Sequence, residues 1–320
     1  MANRAGGGIE AETGTTTNLT NVFLTMNNAG VSPDATAAPG NGGGLHITGA
    51  GNATITGGEV TDNVAALEGG GLWNGAGTMT IDGTLIAGNT ASGPAADDGG
   101  GGVFNNGGTL NVTGATITDN LADGAAGSGG GLFTLAGTVM VTGTTFSFNS
   151  AQSSWGGIEI VNGELSLIDS NLISNDVDGG AGTPAPGNGG GLHVSGDAAA
   201  VTIDGGSVFN NLAASEGGGL WNQAGSTLVV QNGTLIDSNE AFGNDATNGG
   251  GGIFNNGGVV NVTGVPTISN NFASGTAGSG GGIFNGNLVG PGGTVFGSLS
   301  VNDATISGNV ANRAWRRYRS

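Results

Sequence analysis

Gly69-Gly-Gly-Leu72-Trp-Asn74-Gly-Ala-Gly-Thr78-Met-Thr-Ile-Asp82-Gly-Thr-Leu85-Ile-Ala-Gly-Asn89-Thr-Ala91 reads as one coil of a repeated structure. Three short runs in it alternate in hydrophobicity between Gly- or Asx-rich bends, the pattern of strands rather than helices. Leu72 and Asn74 share a face of the first run while Trp73 points away; Met79 and Ile81 share a face of the second. Ile86 points inward in the third, and Asn89 marks the bend after it. Three or four apolar side chains cannot make a core alone, so the stretch must lean on neighbours built the same way.

Those neighbours are present. Asn89 is one of ten asparagines with an aliphatic residue or Phe three places before and Ala or Val two places after: Asn27, Asn63, Asn89, Asn120, Asn149, Asn175, Asn211, Asn239, Asn271 and Asn309. First strands open at Ile9, Leu45, Leu72, Val103, Leu132, Ile158, Leu192, Leu220, Ile253 and Ile283. Stacking like on like predicts an all-β chain, a single-stranded parallel β-helix (solenoid) of about ten coils with three sheets around a dry core. The chirality of parallel connections makes it right-handed. At about 4.8 Å per coil, the rod is roughly 50 Å long. An inward Asn at a buried bend would bond to the backbone of its own bend and to the Asn above and below, and it tolerates left-handed geometry. The ten therefore read as an architectural ladder, with a partial second one at Asn74, Asn105, Asn222, Asn255 and Asn285.

A longer period lies above the coil. Gly40 to His46 returns as Gly187 to His193, and Glu68 to Asn74 returns as Glu216 to Asn222. Two five-coil blocks, about 6–154 and 155–312, thus form one domain over 1–312, and residues 313–320 read as a basic terminal or appended tail.

Composition narrows the function. Gly makes up 72 of 320 residues without a collagen-like period, and Cys is absent. Arg4, Arg313, Arg316, Arg317 and Arg319 are the only basic residues besides two histidines, against 23 acids, and the net charge of −18 argues against nucleic acid and anionic bilayers as partners. No apolar run is long enough to span a membrane as a helix. Met1-Ala-Asn-Arg4 has no apolar leader, which suggests a fragment of a longer precursor. Each Gly-Gly-Gly run superficially suggests a phosphate loop, but neither Lys nor a helix follows, and close backbone approach at a corner explains it better.

Specificity must lie where coils differ. Inserts at 30–41, 92–99, 123–128, 178–188, 242–248 and 274–279 line one edge. Beside them the outward position of the first strand reads Glu10, His46, Trp73, Phe104, Phe133, Glu159, His193, Trp221, Phe254, Phe284. The stripe is either an outer mini-core beneath the inserts or a platform for a glycan or a partner protein, with His46, Trp73, Phe104, Phe133, His193, Trp221, Phe254 and Phe284 as its contacts. Asp97 with Asp98 and Asp176 with Asp178 are acidic pairs that suit calcium or stand as solvated loop acids. Glu10 and Glu159 lie five coils apart, too far to act on one bond, so catalysis is expected less than binding. Outward threonines (Thr54, Thr80, Thr113, Thr142, Thr202, Thr263) leave ice binding as a remote option.

Gly252-Ile-Phe-Asn255 and Thr116-Ile-Thr-Asp-Asn-Leu-Ala122 resemble the repeats of chlamydial polymorphic outer-membrane proteins and of related autotransporter passenger domains. The likeness covers nearly the whole chain. It implies a secreted or cell-surface bacterial protein, an adhesin, and makes a carbohydrate-active lyase or glycosidase the alternative.

Overall fold

A computed structural model describes residues 5–30, 40–152, 156–177 and 187–312. It is a right-handed parallel β-helix, and its coils stack as the sequence repeat requires. Each coil has one strand more than the sequence pattern suggests. In the coil quoted above the strands are Leu72–Asn74, Thr78–Asp82, Leu85–Ala87 and Thr90–Ala91. The fourth holds the Ala (Val177 in the sixth coil) that follows each ladder Asn, and two residues are too few to show alternation. In two coils the first and second strands run on without a bend, as Val103–Thr113 and Leu132–Thr142. The first and second stacks therefore merge into one 19-stranded sheet, beside two 10-stranded sheets made by the third and fourth strands.

The interior is a column of aliphatic side chains contributed coil by coil, among them Leu72, Met79, Ile81 and Ile86, all with 0 % exposure. In the next coil Val103, Leu110, Val112 and Ile117 lie directly on these four. At roughly 25 cal/mol per Å² of apolar surface removed from water, this continuous column is the main source of stability.

The asparagine ladder closes one corner. Asn63 Oδ1 accepts from the main-chain N–H and the side-chain amide of Asn27, at 3.0 and 2.8 Å. Asn63 Nδ2 donates to the carbonyl of Leu24 at 2.8 Å and to Asn89 Oδ1 at 2.9 Å. The same geometry recurs up to Asn309, which accepts from Asn271 and donates to the Ile268 carbonyl. The side chains thus bind the backbone of the preceding coil, not chiefly that of their own bend. Left-handed geometry also falls elsewhere than expected: it belongs to the residue just before each ladder Asn, namely Met26, Asp62, Gly88, Asp119, Phe148, Ser174, Asn210, Ser238, Asn270 and Gly308, with φ between 51 and 65°. The bend is made there so that the Asn itself can return to extended geometry and aim inward. The ladder crosses the joint near residue 155 unbroken, through Asn149 N–H to Asn175 Oδ1 at 3.1 Å.

Glycine triplets open every coil but the sixth, which has the pair Gly156-Gly157, for the steric reason expected. Gly69 has φ 64°, and a Cβ there would lie 2.6 Å from the Leu72 carbonyl oxygen. At Gly70 a Cβ would lie 2.6 Å from the Thr90 carbonyl, where the first and fourth strands press together.

Register removes the single threonine column. Thr54 and Thr80 are followed by Asn111, Met140, Ser166, Thr202 and Val229, while Thr113, Thr142 and Thr263 lie two residues further along their strands. Two mixed columns offer no flat, regular hydroxyl array for ice.

Candidate functional site

The outward stripe stacks in the order read from the sequence. Glu10 pairs with His46, and the register continues through Trp73, Phe104, Phe133, Glu159, His193, Trp221 and Phe254 to Phe284. Ring centroids are 4.3 Å apart for His46 and Trp73 and 4.9 Å apart for Phe104 and Phe133; the second half repeats this at 4.1 Å for His193 and Trp221 and 4.8 Å for Phe254 and Phe284. Strand spacing imposes these stacks, since identical register places each ring over the next.

These rings form an outer mini-core. Trp73 is 7 % exposed, Phe104 1 %, Phe133 0 %, Trp221 4 % and Phe254 3 %, while Phe284 alone is half-buried. Leu135 and Val161 pack against the Trp73–Phe104–Phe133 group. The faces of the rings are turned to one another, and all but Phe284 are shielded from solvent.

The stripe's polar members are paired with each other. His46 Nδ1 lies 2.9 Å from Glu10 Oε2, and Thr48 Oγ1 donates to Glu10 Oε1 at 2.6 Å. In the second half His193 Nδ1 lies 3.0 Å from Glu159 Oε2, and Ser195 donates its hydroxyl to the same carboxyl group. Burial pushes the Glu159 carboxyl well up, partly opposed by the Ser195 hydroxyl, and pushes the His193 imidazole well down. Both shifts favour a neutral carboxyl sharing its proton with a neutral ring. In the second half the Ser195 hydroxyl binds the carboxyl group, whereas in the first half Thr48 Oγ1 also lies 3.3 Å from His46 Nδ1. The separation of Glu10 from Glu159 was legible in the sequence. The pairing of each Glu with the His of the next coil was not, although the two types are adjacent in the stripe.

A second cluster lies where the stripe meets the inserts. Glu68 Oε2 accepts from the Trp73 indole N–H at 2.8 Å and from Asn41 Nδ2 at 2.9 Å. Asn41 Oδ1 is buried and has no hydrogen-bond partner among the described residues. The Glu68 carboxyl is pushed up to about 7, mostly by burial, partly opposed by the Trp73 bond and further raised by the charges of Asp98 and Asp97. Sequence reading passed over Glu68, whose signal is its fixed place five residues before an indole in both halves. In the second half Glu216 accepts from Trp221 at 3.0 Å and is also raised by burial. Thr247 and Asn248 stand there in place of the aspartates.

Of the four carboxylates considered for calcium, one closes a turn of the fold. Asp98 Oδ2 accepts from the Ala95 N–H at 2.8 Å and so closes the turn of its own insert. Asp176 sits in the fourth strand, paired with Ser150 and Leu212 of neighbouring coils. Asp178 lies outside the described residues. Among the described residues no group of three or more His, Cys, Asp or Glu is placed to hold a metal ion, and no helix is long and apolar enough to cross a membrane.

The described inserts brace one another in pairs. Ser128 N–H donates to the Asp98 carbonyl at 3.1 Å, and Ser279 N–H donates to the Asn248 carbonyl at 2.9 Å. Comparison with family models, with curated proteins and with solved structures finds no match to this chain.

Proposed function

We propose that this chain is a structural or adhesive β-helix of the bacterial cell surface or extracellular space, which engages a glycan or a protein partner through its insert edge. The observation that carries this reading is the closure of the stripe: its rings and charged groups are spent on one another, while the variable inserts stand braced at the surface. Resemblance of the coil motif to chlamydial outer-membrane repeats supports a surface location, and the acidic composition suits a soluble display scaffold. Phe242, 43 % exposed at the start of an insert, is the edge aromatic best placed for contact. Binding to glycan arrays or host-cell surfaces should weaken on Phe242→Ser with thermal stability kept. Binding that is absent, or unaffected by replacing the edge inserts, would reject the reading.

One observation favours a second reading, a carbohydrate-active enzyme. A half-buried carboxyl titrating near neutrality is what a general acid toward a glycosidic oxygen requires, and Glu68 has that property on the insert edge. Turnover of a polysaccharide that is lost in Glu68→Gln would favour it over adhesion.

A further inference from the structure

Glu68 is caught between two levels of the insert edge. On the side of the preceding coil, Leu67 N–H donates to the Gly40 carbonyl and Gly42 N–H donates to the Glu68 carbonyl, both at 2.9 Å. On the other side, Gly93 N–H donates to the Leu67 carbonyl at 3.1 Å, and Gly69 N–H donates to the Gly99 carbonyl at 2.9 Å. The insert 92–99 is thus pinned at both ends over Glu68. Its span 94–98 is held to the next insert by Ser128, whose N–H donates to the Asp98 carbonyl at 3.1 Å and whose hydroxyl donates to the Ala96 carbonyl at 3.2 Å. The second half repeats this frame. Gly243 N–H donates to the Ser215 carbonyl at 3.0 Å and Gly217 N–H to the Gly249 carbonyl at 2.9 Å. Ser279 binds the Asn248 and Ala246 carbonyls at 2.9 and 3.1 Å.

The two inserts differ in what they present to the carboxyl beneath. In the second half Asn248 Nδ2 donates to Ser215 Oγ at 3.3 Å, a neutral tie from insert to floor. In the first half Asp98 and Leu67 hold these places, and a leucine offers no hydrogen-bonding side chain. Asp98 turns its carboxylate to the Ala95 N–H of its own turn, and Asp97 and Asp98 bring negative charge against Glu68. From the other elements around the carboxyl come the uncharged Trp73 and Asn41, and His46 on the Trp73 ring, itself paired with Glu10. Asp34 of the preceding insert lies outside the described residues. No Lys or Arg occurs between residues 5 and 312, so this stretch offers Glu68 no fixed positive charge. The floor also holds a place for a proton. A carboxylic acid and a side-chain amide pair through two hydrogen bonds in one ring, and the first of them, Asn41 Nδ2 to Glu68 Oε2, is in place at 2.9 Å. Asn41 Oδ1 is buried with no partner among the described residues. A protonated carboxyl has the donor that this oxygen lacks, and an ionised one does not.

We propose that the insert 92–99 is a proton-controlled flap, closed over a neutral Glu68 and lifting at 94–98 when that carboxyl ionises, while the insert 242–248 stays down. Ionisation removes the donor to Asn41 Oδ1 and sets a third negative charge beside Asp97 and Asp98. Lifting the flap carries those two charges away and lets water reach the carboxylate. The closed form raises the Glu68 carboxyl to about 7, mostly by burial. It therefore binds the proton more tightly than the open form, and gives way to it as pH rises from 4.5 to about 7. Glu216 is raised by burial as well, but Thr247 and Asn248 bring no charge over it, and the tie to Ser215 does not titrate. The first half of the edge thus takes two shapes according to pH, and the second half keeps one.

Amide exchange of the full chain tests this, read residue by residue by NMR and corrected for the intrinsic pH dependence of exchange. The Ser128 N–H reports on the flap, and the Ser279 N–H on its fixed counterpart. Between about pH 5 and about pH 8, Ser128 should lose about tenfold or more of its protection while Ser279 keeps its own. Glu68→Gln is neutral at every pH and should hold Ser128 protected throughout. Thr247→Asp with Asn248→Asp should carry the pH response over to Ser279, a readout that stands even if Glu68→Gln fails to fold. Equal protection of Ser128 at both pH values overturns the inference, as does a loss that persists unchanged in folded Glu68→Gln. A loss shared equally by Ser128 and Ser279 overturns it too, because that would be a general loosening of an acidic rod.

Discussion

The second to fourth coils and the seventh to ninth carry the same order of side chains, His-Trp-Phe at the stripe and Glu five residues before the Trp, yet they satisfy it differently. In the first half His46 leans on a half-exposed Glu10, Asn74 Oδ1 is buried without a partner among the described residues, and Glu68 stands among aspartates. In the second half Glu159 is sealed, Ser226 Oγ donates to Asn222 Oδ1 at 2.8 Å, and Thr247 and Asn248 stand in the sequence where the first half has its aspartates. A repeat thus fixes the frame, and the polar detail drifts within it.

The largest effects test the shared frame. Asn120→Leu removes the acceptor of the Asn89 N–H and the donor to the Ile86 carbonyl, both buried. At about 1–3 kcal/mol for each orphaned group, urea unfolding should show a loss of about 3–5 kcal/mol. Asn271→Leu should cost nearly as much; a markedly smaller loss would mean that the halves do not share one frame. Next comes the stripe. Glu159→Ala strips partners from a buried imidazole and hydroxyl and should cost about 3 kcal/mol, against less than about 1 kcal/mol for Glu10→Ala. Similar losses would erase the distinction between sealed and open pairs.

Smaller changes exchange the detail of one half for that of the other. Ser226→Ala leaves Asn222 Oδ1 as Asn74 Oδ1 already is, at a cost of about 1–2 kcal/mol. Phe148 is left-handed, with φ 54° and 60 % exposure, and its counterpart is Gly308. Phe148→Gly should therefore raise stability by about 1 kcal/mol, and a fall would show that the ring has contacts worth more than the strain. The smallest effect concerns pH. Glu68 binds its proton more tightly folded than unfolded, so its contribution to stability falls as pH rises from 4.5 to about 7. Melting temperatures over that window should decline less steeply in Glu68→Gln. Asp97→Thr with Asp98→Asn should make the decline smaller and end it at lower pH, because the charges opposing ionisation are gone.

Coil number, core residues and stripe order were legible because each rests on local alternation or on a motif that recurs at every turn. What escaped reading depends on distances between coils. Glu159 and His193 are 34 residues apart in sequence, and only register shows that they touch. The left-handed position was assigned to Asn on general preference, but Met26 and Phe148 hold it because the ladder fixes the residue after them. Burial of the aromatic stripe depends on what covers it, which alternation along a strand does not encode.

Ladder asparagines are separated by as few as 26 residues, from Asn63 to Asn89, and by as many as 38, from Asn271 to Asn309, yet the rungs at these two steps are both 2.9 Å long. Contour length and coil spacing are therefore uncoupled. Doubling an edge loop adds only about 0.6 kcal/mol of closure entropy and leaves the next rung where it was. Mutation can lengthen, shorten or rewrite the edge almost without consequence for folding, so the edge can vary while the frame beneath it stays fixed.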